Sequence, residues 1–389
     1  MSDVIGLTVI GAGVVGCAVA RELAEAGEEV LVLERNPGVS QGENQSSRNS
    51  GVIHSGLYYD QATRPLKAAL CVRGNALLYD FCAEHHVPAL ACGKLVVGTR
   101  PEHHEILALY EQRARENGVP VELISGERVR ELEPRVACRQ ALLLPSAGVV
   151  DAAALVHRLY ALASGHGAQF MPQTRLSAAR ATPEGLELTI TYRDGASDTF
   201  LTKRMVNCAG LYADEVARML DPASPHVVDP TRSEAVKFYR SKRPELGLKG
   251  MNIYPTPTLL HTDHGTHFTV GVHLTPTLVP GPEGGPALGS EVTIGPLGHG
   301  CKNKEDYGGD YPPMQDFHSL VAPFFPGLRV EDLQPHQVGI QARLLNNPDF
   351  VVEFSPAEPR LLNLAGIDSP GLTSSLALAG LARKMLSNA

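Results

Sequence analysis

No stretch of about 18 apolar residues occurs in the 389-residue chain, so no spanning helix is expected. Positive charge is not in excess either. The formal net charge is −8, which argues against nucleic acid or an anionic membrane surface as the main partner. Cysteine is sparse and badly spaced for structural use. There are 7, an odd number, and no pair stands as CxxC, so neither a disulfide framework nor a metal site is expected. They read as small buried hydrophobes. The start of the chain lacks a basic n-region and a cleavage site, and "MSDVIG" runs straight into a strand. This predicts an unprocessed cytoplasmic protein, with docking at the inner face of a membrane left open. Histidine is plentiful at 15, but the pairs His85–His86 and His103–His104 read as solvated helix faces.

What is present is an ordinary soluble composition, 43% hydrophobic and 20% charged, in a chain long enough for two domains or one elaborate one. The strongest local signal is "LTVIGAGVVGCAVARELAEAGEEVLVLER", Leu7 to Arg35. Leu7–Ile10 is a short apolar run of the kind a buried parallel strand shows. Gly11, Gly13 and Gly16 follow in GxGxxG spacing, with Val14 and Val15 opening a helix. Its apolar face is Val15, Val19, Leu23 and Ala26, and Gly27 ends it. Val30–Leu33 is a second strand, closed by Glu34 and Arg35.

Each residue type has a reason. Gly11 permits the tight turn, Gly13 the approach of a pyrophosphate, and Gly16 close packing of helix on strand. The helix N-terminus offers free N–H groups and the positive end of its dipole. Glu34 stands where an acid holds ribose hydroxyls and repels a 2′-phosphate. The motif predicts a dinucleotide site but does not separate FAD from NAD.

The next segment is a polar loop, "RNPGVSQGENQSSRNSG", where a simple NAD domain would have a third strand. Ser46, Ser47, Asn49, Ser50 and Gly51 are short donors and a permissive glycine, suited to lying against a flavin. Two more strand–glycine–helix units follow. One turns at Ala209-Gly210. The other turns at Gly366 and opens a helix near Gly371, Leu372 and Thr373, whose N-terminus would aim at the ligand.

The chain resembles the FAD-dependent oxidoreductases of the D-amino-acid-oxidase superfamily, and within them the L-2-hydroxyglutarate dehydrogenases and oxidases. The resemblance rests on "NSGVIHSGLYY", "LKAALCVRGNALLYDFCAEHHVP", "CGKLVVGT", "VNCAGLYADEVARM", "IYPTP", "GVHLTP" and "GIDSPGLTSSLALA", in family order over nearly the whole chain. It implies an FAD cofactor, an α/β fold with a glutathione-reductase-type Rossmann domain, and an α+β substrate domain on a mostly antiparallel sheet. It implies hydride transfer from a small 2-hydroxy acid to flavin N5, with electrons passed on to oxygen, a quinone or another carrier. Three stretches depart from the pattern. "GIQARL" has Gln341 where an arginine is expected, "TRSEAVKFYRSKRPELGLKG" lacks an R-G-E-Y-like run, and the Thr275–Pro296 connection is long and rich in Pro and Gly. All fall where a substrate would be gripped. An amino-acid or secondary-amine oxidase, or a glycerol-3-phosphate-type dehydrogenase, is therefore the alternative.

The resemblance sets the loop carrying His54 beside the flavin ring. Histidine titrates near neutrality, which suits the group that takes a hydroxyl proton as hydride leaves. His273 is the second candidate, on an expected strand Thr266–Leu274 whose His267, Thr269, Gly271 and His273 share a face. Lys94 and Tyr254 are weaker substrate candidates. Arg343 is the expected carboxylate anchor, because a planar fork makes two contacts. The FAD domain is expected over residues 1–80, 147–220 and 335–389, and the substrate domain over 81–146 and 221–334. Pro276–Gly300 reads as a long loop, a mobile lid or a disordered excursion.

Overall fold

The computed structural model of the protein describes residues 4–42, 44–262, 265–281 and 285–388, with backbone alone for 259–262 and 265–269. Two eight-stranded sheets organise the chain. In the first, Ile5–Ile10 lies between Val30–Leu33 and Ser197–Asn207, parallel to both. Gln169–Met171 extends one edge, again in parallel. Strand Ser197–Asn207 changes neighbour along its length. Its first part pairs with Leu186–Thr191 in an antiparallel hairpin, and Met205–Asn207 pair in parallel with Leu361–Asn363. Fully apolar strands such as Val30–Leu33 mark a sheet covered on both faces. Helices Val14–Glu25, Ala152–Gly165 and Gly371–Ser387 associate over one face, with Val9, Val19, Leu155 and Leu378 in the core between them.

The second sheet runs Gln334–Leu344, Val228–Tyr239, Pro286–Gly300, His273–Pro280, Asn252–Pro255, Lys94–Gly98, Gln140–Leu144, Glu122–Ser125. Neighbouring pairs are antiparallel except Asn252–Pro255 with Lys94–Gly98. A core of Phe238, Ile294, Phe317, Phe324 and Phe325 backs it. The fold is the expected α/β one with a second, mostly antiparallel sheet. Strand Gln334–Leu344, expected within the FAD unit, hydrogen-bonds into the second sheet. It also touches the polar loop, for a Cβ at Gly339 would stand 2.7 Å from the Arg48 carbonyl oxygen.

Two local expectations are corrected. The described residues of Pro276–Gly300 are no loop. His273–Pro280 and Pro286–Gly300 form a long hairpin, paired from His273↔Gly295 to Pro280↔Pro286 with one register shift between Pro276 and Leu278. Alternating Thr275, Thr277 and Val279 favour the strand, and Pro276 is tolerated because Leu274 alone of this strand pairs with Asn252–Pro255 on the other side. Thr266–Leu274 is not one strand. Gly265–Thr269 pairs with Thr258–Thr262 in a separate ribbon, and His273 opens a new strand in the second sheet. Gly271, at φ +70°, makes the break, and a Cβ there would lie 2.7 Å from the Pro255 ring.

His103 is also not on a solvated face. It is 8% exposed, and its Nδ1 accepts the N–H of Thr99. Ser125 caps its helix Gly126–Leu132, its side chain accepting from Arg128 N–H. All 7 cysteines are free thiols, four of them buried and Cys92, Cys138 and Cys301 partly exposed. Among the described residues no helix is long and apolar enough to cross a membrane.

Candidate active site

One cleft of about 1340 Å³ lies between the two sheets. At one end stands the glycine turn. A Cβ on Gly16 would sit 1.8 Å from the Gly11 carbonyl oxygen, so only glycine lets this helix start so close to the strand. Glu34 braces the turn: its carboxylate accepts the N–H of Ala12 at 2.7 Å and of Asn36 at 2.8 Å. Gly11, Gly13, Val14, Val15, Glu34 and Arg35 line this end. Ala209 and Gly210 face them from the second strand–turn–helix unit. Arg35 lies over the Tyr212 ring and pairs with Glu305 at 2.6 Å, reaching the segment after the long hairpin.

The polar loop follows along the cleft. Ser46 Oγ accepts the N–H of Val14, and Asn49 folds the loop by donating to the Ser46 carbonyl and accepting from Gly51 N–H. Ser46, Asn49, Ser50 and Gly51 line the cleft. Ser47 does not; its hydroxyl is spent on the carbonyls of Gly42 and Asn44. The last helix also opens here, with Gly366, Gly371 and Leu372 in the lining. Thr373 is buried just behind, its Oγ1 accepting the N–H of His54. Two helix N-termini and a glycine-floored turn on one long cleft fit a dinucleotide whose pyrophosphate needs N–H donors and whose ring system needs length.

The far end holds the two histidines. His54 Nε2 lies 3.3 Å from Ser369 Oγ, and its Nδ1 has no hydrogen-bond partner among the described residues. His273 Nδ1 is 3.0 Å from the Gly271 carbonyl, so this nitrogen carries the proton and Nε2 keeps its lone pair. The His273 ring stacks on Tyr254, with centroids 3.7 Å apart. Burial pushes both imidazoles down, His54 well below its usual range and His273 to about 3; Lys94 adds to both. Both rings are therefore neutral in the empty cleft at physiological pH.

Lys94 does not line the cleft. It is 1% exposed, with its ammonium 3.8 Å from the Tyr254 centroid. His273 already covers one face of that ring at similar range, so Lys94 takes the other. The order is lysine, tyrosine, histidine, and of the three Tyr254 and His273 line the cleft. Burial lowers the Lys94 pKa from 10.5 to about 7, with Cys71 and Cys92 opposing. Between those values the folded protein holds Lys94 neutral while the unfolded chain protonates it. The unfolded state then binds more protons, so stability rises with pH across this window, by at most about 1.4 kcal/mol per unit. Below pH 7 the penalty is complete. Lys94→Met is expected to stabilise most below pH 7 and to lose that gain toward pH 10. Urea unfolding at pH 6.5 and 9.5 checks it, and an equal gain at both values refutes it.

Arg343 lines the cleft with a half-exposed side chain. Its Nε donates to Gln341 Oε1 at 3.2 Å and lies 3.6 Å from Asp368. Asp368 in turn pairs with Lys67 at 2.6 Å. Sequence reading missed Tyr58, Tyr59, Arg64 and Ser369, which also line this end. Tyr58 and Tyr59 stand in the resembling "HSGLYY" run, which marked the region without assigning those residues a part.

A glycine-turn dinucleotide cleft joined to a polar pocket with two neutral imidazoles fits a dinucleotide-dependent oxidoreductase. The chain belongs to the FAD dependent oxidoreductase family, whose model matches residues 7–385. Its cofactor is FAD. It is 31% identical to the mitochondrial L-2-hydroxyglutarate dehydrogenase of Arabidopsis thaliana over 95% of this chain and 81% of that one. The human mitochondrial L-2-hydroxyglutarate dehydrogenase is 28% identical over 96% and 87%. Among solved structures, L-alpha-glycerophosphate oxidase from Mycoplasma pneumoniae shares the fold with a TM-score of 0.84 at 22% identity, covering 99% of this chain and 95% of that one. Glycine oxidase from Geobacillus kaustophilus gives 0.77 at 19%, covering 98% and 94%.

Proposed function

We propose that the protein oxidises a small 2-hydroxy acid resembling L-2-hydroxyglutarate to the 2-oxo acid. The observation that carries this reading is the pair His54 and His273, both neutral at the same end of the cleft as the guanidinium of Arg343. The names of the relatives over nearly the full chain support the substrate class. Bound FAD supplies the acceptor for the hydride that leaves C2.

The chain's residues do the rest. Arg343 Nε is held by Gln341, and among the described residues its two terminal nitrogens have no partner, which suits them to a carboxylate. The imidazole pair takes the hydroxyl proton. For His273 the proton goes to Nε2, and the Gly271 carbonyl then faces the N–H of an imidazolium, which strengthens that bond. Tyr254 sets the plane of the His273 ring by stacking. Glu34 would hold the ribose hydroxyls of FAD, and the Gly11–Gly16 turn would take its pyrophosphate. Electrons pass on to oxygen, a quinone or a carrier protein. We assign residues 1–80, 147–220 and 345–389 to the FAD domain and the second sheet to substrate, in a cytoplasmic enzyme.

The test is anaerobic. The flavoprotein is mixed with L-2-hydroxyglutarate, its D isomer, L-lactate, glycerol 3-phosphate and a set of amino acids. Fast bleaching of the flavin by L-2-hydroxyglutarate is expected. Bleaching only by an amine or by glycerol 3-phosphate would overturn the assignment.

A further inference from the structure

A dicarboxylate needs two cations, and Gln341 removes the one the sequence pattern leads one to expect. The cleft has others, but most are engaged. Arg35 pairs with Glu305, and Lys67 with Asp368. Arg175 belongs to the first sheet, on strand Thr174–Ala181 at the nucleotide end.

Arg64 is different. It lines the cleft and is half-buried. Its guanidinium lies 5.6 Å from the Tyr59 centroid, and one terminal nitrogen donates to the Tyr58 carbonyl at 3.0 Å. Among the described residues no carboxylate lies within ion-pair distance of it. Asp60, the acid nearest in the chain, is taken by Arg113 at 3.0 Å and by the N–H of Ala62. Helix Pro65–Glu84 starts at the next residue, so the backbone of Arg64 is fixed: its N–H bonds to the Asp60 carbonyl, and its own carbonyl accepts from Ala68.

The position matters as much as the vacancy for a partner. Tyr59 and Ser369 both line this end of the cleft, and Ser369 Oγ lies 3.3 Å from His54. Asp368, the next residue back, is the neighbour of Arg343. One wall thus runs Arg64, Tyr59, Ser369, with His54 at its centre and Arg343 on its other side.

We propose that Arg64 grips the second carboxylate of a dicarboxylic 2-hydroxy acid and makes the site select diacids over monoacids of equal length. This deepens the reading above and rests on it. A guanidinium with one nitrogen pinned and the fork otherwise open is pre-set for a two-contact grip. Its contact lies remote from the reacting carbon and is equal in ground and transition states, so it acts on KM rather than kcat.

The experiment compares L-2-hydroxyglutarate with L-2-hydroxyvalerate, which carries a methyl in place of the distal carboxylate. Anaerobic flavin reduction is followed for the FAD-loaded wild type, Arg64→Gln and Arg64→Lys. The wild type is expected to prefer the diacid. Arg64→Gln is expected to raise KM for the diacid roughly 30-fold or more at nearly unchanged kcat, as loss of one partner of a desolvated charge pair does, and to leave the monoacid constants alone. Arg64→Lys should recover part of the preference. An Arg64→Gln protein that keeps the preference, or loses both acids equally, overturns the proposal. If the wild type is reduced by neither acid, the 2-hydroxy-acid reading itself has failed and takes this one with it. If Arg64→Gln does not fold, an Arg64→Lys protein with undiminished preference and undiminished KM for the diacid overturns the grip, and a raised KM for the diacid alone supports it.

Discussion

Replacing His54 or His273 by alanine is expected to leave a yellow protein whose anaerobic reduction by substrate is slowed by about 10²–10⁴, the range a positioned acid–base group contributes. FAD should stay because neither ring belongs to the glycine turn or the polar loop that would hold it. The two variants should differ in pH dependence. Burial and the Lys94 charge hold both imidazoles neutral, so protonation disables neither at ordinary pH. A bound anionic substrate raises both pKa values, by attraction to the imidazolium. The acid limb of the reduction rate should therefore lie above pH 3 where His273 is the proton-accepting ring, and vanish in the variant that lacks the accepting ring. Stopped-flow reduction between pH 5 and 9 reads this. Unchanged rates in both variants would show that the hydroxyl proton leaves by another route.

Gly16→Val is expected to abolish flavin retention. The new Cβ would fall 1.8 Å from the Gly11 carbonyl oxygen, with the Cys208 side chain 3.5 Å away, and a backbone oxygen in a tight turn has nowhere to go. Helix Val14–Glu25 must then shift off the strand. Overpacking of this kind costs about 1–3 kcal/mol or more, and it moves the helix N-terminus away from the pyrophosphate. Gly16→Ala should do the same to a lesser degree only if the helix can slide. The flavin-to-protein absorbance ratio after gel filtration, with the melting temperature of the apoprotein, separates lost binding from lost folding. A Gly16→Val protein with full flavin would mean that the turn does not carry the cofactor.

The nucleotide unit was legible because it is local. Sterics between Gly11 and Gly16 are set within six residues, and the strand, helix and strand around them are adjacent in the chain. The long hairpin was not legible. Its Pro and Gly residues argue for a loop, and what overrules them is pairing with Val228–Tyr239 on the far side. The break at Gly271 was hidden too, since its cause is the Pro255 ring of a different strand.

The sequence alone determined the dinucleotide turn, whose physics is complete within a few residues, and its resemblance over short motifs implied the family, the FAD cofactor and the segments that line the cleft. Only the tertiary structure decided which polar groups meet. Lys94, Tyr254 and His273 come from three strands and stack in one order because the register Asn252↔Lys94 and Ile253↔Leu274 puts them together. The same assembly withdraws Lys94 from the cleft, ties Arg343 Nε to Gln341, and leaves Arg64 on the cleft with no carboxylate within ion-pair distance among the described residues. Such placements depend on sheet register and burial summed over the whole chain, and no window of sequence contains them.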